Sequence, residues 1–203
     1  MDFMPPESTM VIRLGGAFGE GSMATITFKG TPVRTSGQLP LVGAPCPDFS
    51  LTGVDLGEIT LTSLEGRRVI LNVFPSLDTP VCAESVRTFN KRATEPTDTT
   101  VLCVSMDLPF AHLRFCATEG LERVLPASAF RSPEFGNWMG LRIEDGPLQG
   151  LLARAIVVLD ENGTIVHTQL VPEITQEPDY DLAIAIIRDH HHPCPEDAVL
   201  TSE

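Results

Sequence analysis

A cysteine acts as a nucleophile only as its thiolate, so the question for a chain with cysteines at 46, 82, 103, 116 and 194 is which of them sits where a thiolate is favoured. Cys82 stands out. It follows Asp78-Thr79-Pro80-Val81, in which Thr79 or Asp78 can cap a helix and Pro80 can occupy its first turn. Free backbone N–H groups and the positive end of the helix dipole then meet the sulfur, and both favour the charged, nucleophilic form. Position alone fits a small packed core residue equally well. Cys103, inside the apolar run Val101-Leu102-Cys103-Val104, is expected to be structural, and Cys46, in the loop Ala44-Pro45-Cys46-Pro47, is expected to have no role. An odd number of cysteines at irregular spacing is a poor disulfide framework and indicates individual thiols in a reducing, cytoplasmic compartment.

The elements that must position Cys82 alternate. Val69 to Phe74 is apolar but for Asn72 and reads as a central strand covered on both faces. Val81 to Ala93 follows as a helix with Val86, Phe89 and Ala93 on one face. Thr100 to Ser105 is the next strand, leading through Asp107-Leu108-Pro109 into a short helix that carries Phe110, Leu113 and Cys116 and can end at Gly120. Upstream, Thr25 to Phe28 and Val33 to Thr35 make a hairpin around Lys29-Gly30-Thr31-Pro32, and Phe49 to Thr52 and Ile59 to Leu61 read as short strands. Downstream, Ser132-Pro133 opens a short helix, Ala153 to Leu159 and Thr164 to Gln169 flank the turn Asn162-Gly163, and a Leu182, Ile186 stripe marks a last helix. The sum is an α/β fold, a central mixed sheet with helices on both faces. Residues 1–22 read as a flexible N-terminal extension, 23–189 as one domain and 190–203 as a C-terminal tail.

The stretch Pro75-Ser76-Leu77-Asp78-Thr79-Pro80-Val81-Cys82 contains the P-x-x-x-T-x-x-C pattern of peroxiredoxins, and the whole region resembles the thiol peroxidases, their atypical two-cysteine branch. The resemblance continues through Leu108-Pro109-Phe110-Ala111, Arg114-Phe115-Cys116, Asp145-Gly146-Pro147-Leu148, Leu152-Ala153-Arg154-Ala155 and Glu177-Pro178-Asp179-Tyr180, covering about Met23 to Arg188. It implies a thioredoxin-like fold and a thiol peroxidase that reduces hydrogen peroxide and organic hydroperoxides without a metal or organic cofactor. It also implies roles: Cys82 as the attacking thiol, Pro75 as its shield from water, Thr79 as a hydroxyl that holds sulfur and peroxide, and Arg154 as the cation that favours the thiolate. Cys116, 34 positions after Cys82, is implied as the thiol that captures the Cys82 sulfenic acid in an intrachain disulfide. Because a disulfide needs Cα atoms within about 7 Å, two packed helices must unwind locally to form it. Thioredoxin is the implied reductant and a homodimer the implied assembly.

A net charge of −13 disfavours nucleic acid and anionic membranes, and no run approaches the roughly 20 apolar residues of a spanning helix. Met1 to Gly21 has Asp2 and Glu7 where a secretory signal carries basic residues. His190-His191-His192-Pro193-Cys194 has metal-ligand chemistry, but adjacent histidines diverge, so a solvated tail is expected there. Two rival readings share the scaffold: a redox sensor that passes its disulfide to a partner protein, and a non-catalytic binding module. Intact Thr79, Cys82 and Arg154 argue against the second.

Overall fold

The computed structural model describes residues 23–92 and 99–189, so the segments 1–22 and 190–203, Ala93 and the His190 to Cys194 cluster lie outside the described residues. Two strands, β1 (Thr25–Phe28) and β2 (Thr31–Arg34), form an antiparallel hairpin. Its turn is only Lys29-Gly30, both at positive φ (52° and 77°), the mirror-image turn that matches strand twist; Thr31 and Pro32, expected in the turn, belong to the second strand instead.

Seven strands make the main sheet: β3 (Ser50–Gly53), β4 (Glu58–Thr60), β5 (Arg68–Val73), β6 (Thr99–Ser105), β7 (Leu125–Ser128), β8 (Ala155–Leu159) and β9 (Ile165–Leu170), in the order β4-β3-β7-β6-β5-β8-β9. The central β7, β6 and β5 are parallel and the flanking pairs antiparallel. Strand periodicity divides the core in two. Leu71, Val73, Leu102, Val104 and Val157 point into one layer, with Phe135 and Met139 beside them. Ile70, Val101, Cys103, Ile156 and Val158 point into the other. Each aliphatic or aromatic side chain so buried contributes roughly 1.5–3 kcal/mol, which is why the strands richest in them are central.

The second layer is closed by α1 (Pro80–Arg92), through Val86 and Phe89, and by α4 (Tyr180–Asp189), through Tyr180, Ala183, Ile184 and Ile187. Of the two residues that marked this helix, Ile186 packs half-buried against the layer and Leu182 is exposed, with Tyr180 edge-on to Phe89 at the helix start. Between β6 and β7 lies α2 (Pro109–Glu119), with Pro109 at its first position and Gly120 at φ 65° ending it. Arg87 of α1 grips Glu119 of α2 through two N–H···O bonds of 2.9 Å and lies over the Phe115 ring. A short α3 (Pro133–Trp138) follows β7, the strand that sequence patterning did not reveal.

Candidate active site

Strand β5 delivers the chain to the end of the sheet, where Pro75 to Thr79 turn it into α1. The Thr79 carbonyl accepts the first helical hydrogen bond, from Ala83 N, which makes Thr79 the capping position. Its hydroxyl does not cap; it donates to the Ser76 carbonyl at 3.1 Å, which closes the turn and leaves its lone pairs as the unused capacity. Cys82 is then the third residue of α1, with its sulfur fully buried at the helix N-terminus, as its spacing predicts.

Arg154, immediately before β8, is brought to that sulfur by the antiparallel pairing of β8 with β5. Its Nη2 donates to Cys82 Sγ at 3.2 Å, although 71 residues separate the two in the chain. A guanidinium only 1% exposed must be held, and its Nε donates to the Ile174 carbonyl at 3.0 Å. The segment 171–175 that supplies this carbonyl also anchors the N-terminal hairpin. Thr27 N donates to the Pro172 carbonyl and Ile174 N to the Thr27 carbonyl, while the Glu173 carboxylate accepts from Gly30 N, Lys29 N, Thr175 N and both threonine hydroxyls, Thr27 and Thr175. Those donors, the Gly30 N–H foremost, hold the Glu173 carboxyl well below the usual carboxylate range. Arg154 Nη1 is buried and finds no partner among the described residues, which leaves one charged donor in reserve.

Pro75, Thr79 and Arg154 line one mostly apolar cavity of about 430 Å³, whose other walls include Val81, Phe28 and Leu148. Three of the five expected residues thus share one cavity, and the fourth, Cys82, is bonded to its Arg154 wall. Cys116 is not among the lining residues: it sits half-buried in the last turn of α2, its thiol pushed up by burial. Cys46, Cys82, Cys103 and Cys116 are all free thiols. Phe28, Leu148 and Ile174 were not singled out by sequence reasoning. A hairpin around Phe28 was legible, but nothing local says that it docks on a segment about 145 residues away.

No cluster of three or more His, Cys, Asp or Glu side chains able to hold a metal occurs among the described residues. None of their helices is long and apolar enough to cross a membrane.

A mixed sheet with helices on both faces and a cation-bonded cysteine opening the helix after a central strand defines a thioredoxin-like thiol protein. The chain belongs to the redoxin family, whose model matches residues 41–184. It is 57% identical over 165 residues to a protein named thiol peroxidase from Mycobacterium tuberculosis, covering 81% of this chain and 99% of that one. A thiol peroxidase from Corynebacterium glutamicum matches over the same shares at 53% identity. Among solved structures, a peroxiredoxin-like protein from Aquifex aeolicus superposes with a TM-score of 0.78 at 38% identity, over 83% of this chain and 99% of that chain.

Proposed function

We propose that this protein is a thiol peroxidase in which Cys82 reduces hydroperoxides and Cys116 resolves the product. The observation that carries the reading is the 3.2 Å contact from Arg154 Nη2 to the Cys82 sulfur, at a helix N-terminus beside a cavity. In the first step the Cys82 thiolate attacks the terminal oxygen of R–O–O–H. The O–O bond breaks, R–O⁻ leaves and takes a proton to become R–OH, and the sulfur, oxidised by two electrons, keeps the hydroxyl as a sulfenic acid. Negative charge that moves from sulfur to the leaving oxygen stays within reach of one guanidinium, whose unpartnered Nη1 is free to meet it. The Thr79 hydroxyl, its own proton committed to Ser76, has lone pairs to accept a hydrogen bond from the peroxide O–H. Pro75, which carries no N–H, borders the cavity without offering water a donor. The apolar lining fits organic as well as hydrogen peroxide.

In the second step the Cys116 thiolate attacks the Cys82 sulfur, an S–S bond forms, and hydroxide leaves as water. A dithiol donor, thioredoxin by the resemblance, returns both cysteines to thiols by exchange. We place the protein in a reducing, cytoplasmic compartment and expect a homodimer.

Single-turnover reaction with a small excess of cumene hydroperoxide, followed by mass mapping, tests the reading. The expected result is a Cys82 to Cys116 link in the wild type, a Cys82 sulfenic acid in Cys116→Ser, and no reaction in Cys82→Ser. Wild-type peroxide consumption by Cys82→Ser would overturn it.

A further inference from the structure

The disulfide step needs the Cys82 turn and the helix that carries Cys116 to loosen, and one side chain that the chemistry above does not use ties the first to the start of the second. Asp107 lies at the end of β6, just before α2. Its Oδ1 accepts from Ser76 Oγ at 2.8 Å and its Oδ2 from Leu77 N at 2.7 Å, so the carboxylate grips the loop between Pro75 and Thr79. Its Oδ2 also accepts from Ser105 Oγ at 2.8 Å.

The second arm runs to α2. Ser105 is fully buried; its one proton goes to Asp107, and its oxygen lies 3.0 Å from His112 Nε2 in the first turn of α2. With the serine proton spent, His112 Nε2 must carry the N–H and donate. The oxygen also accepts from Asp107 N at 3.2 Å, and its capacity is full. His112 is 1% exposed on a helix whose Phe110 and Leu113 face outward, so this polar contact, beside the buried Pro109, fixes the start of α2.

Resting on the peroxidase reading above, we propose that Asp107 is a positioning residue: it holds the Cys82 loop and, through Ser105 and His112, the first turn of the helix that carries Cys116, so that loop and helix start are released together once Cys82 is oxidised. Held, the loop keeps Cys82 in place for peroxide. Released, it lets the two sulfurs meet. A weaker latch slows the first reaction and speeds the second, because it raises the population of the opened arrangement.

Rapid-quench mass spectrometry on the full chain reads three quantities: the rate of Cys82 oxidation by hydrogen peroxide, the rate of disulfide formation, and the fraction of Cys82 that a second peroxide oxidises to sulfinic acid. Asp107→Asn keeps the shape but cannot accept on both sides. It should oxidise roughly tenfold more slowly, form the disulfide several-fold faster, and yield less sulfinic acid. Ser76→Ala, which cuts the loop's side-chain contact to Asp107 and a long one from Asp78 N, should shift the three quantities the same way by less, and serves if Asp107→Asn does not fold. His112→Leu should free α2 and speed the disulfide step, while His112→Gln, which retains an N–H donor, should restore the wild-type ratio. Equal slowing of both steps in Asp107→Asn and Ser76→Ala, or an unchanged ratio, would reduce Asp107 to a structural residue and overturn the proposal. Failure of the peroxidase reading looks different: the wild type itself would form no Cys82 to Cys116 link.

Discussion

Cys82 and Cys103 lie in the same core layer, each with 0% of its surface exposed, yet their surroundings ask opposite things of the sulfur. Cys103 faces the Asn72 carboxamide, whose Nδ2 stands 3.6 Å away and is shared with Ser85 Oγ. Burial pushes its thiol up to about 12, against the small opposing pull of that donor. Cys82 instead receives a guanidinium N–H at the start of a helix. Burial by itself makes a cysteine inert; a fixed cation and a helix N-terminus beside the sulfur are the surroundings in which a thiolate is favoured.

The sharpest way to break the comparison is to ask which sulfur peroxide finds. At pH 7 a thiol of pKa about 12 is ionised only on the order of 10⁻⁵ of the time, so a Cys116→Ser protein given one equivalent of hydrogen peroxide and quenched into denaturing dimedone should carry the tag on Cys82 and none on Cys103 or Cys46. A tag on Cys103 comparable to that on Cys82 would end the argument that the cation decides.

His112 extends the comparison to a buried base. Its pKa is pushed down to about 4, by burial against the pull of Asp107, the charged group that faces it. The folded state thus binds the proton less well than the unfolded chain. This contribution is fully present above pH 6.5 and is lost as the pH falls toward 4. Denaturant melts should show roughly 3 kcal/mol less contribution from this residue at pH 4, and the loss should be absent in His112→Gln.

Removing the cation should bring Cys82 closer to its neighbour: Arg154→Met should lower the rate of Cys82 oxidation by about 100-fold, read by stopped-flow peroxide consumption, with the fold checked by circular dichroism. The smallest effect belongs to Cys103. Cys103→Ala should cost roughly 1–2 kcal/mol in urea melts through the lost packing and leave the peroxide rate within about twofold of wild type.

Much of this was legible in the chain. The mostly apolar run of β5 and the cap and proline before Cys82 predict a covered strand followed by a helix N-terminus, because those signals are local. Strand β7 was not, since Leu125-Pro126-Ala127-Ser128 holds a proline and one large apolar residue and acquires its register from its neighbours β6 and β3. The orientation of α2 was not legible either. Phe110 and Leu113 are exposed, while Pro109 and His112 are buried, His112 meeting Ser105, which is itself bonded to Asp107.

By itself, then, the sequence determined which sulfur stands at a helix start and which lies within a strand, since capping residues and strand periodicity act over a few residues. Only the tertiary structure decided what each sulfur meets. Arg154, Ile174 and the hairpin that docks near them converge on Cys82 from 28 to 174 along the chain, and contacts between such distant residues follow from strand pairing rather than from any neighbouring letters.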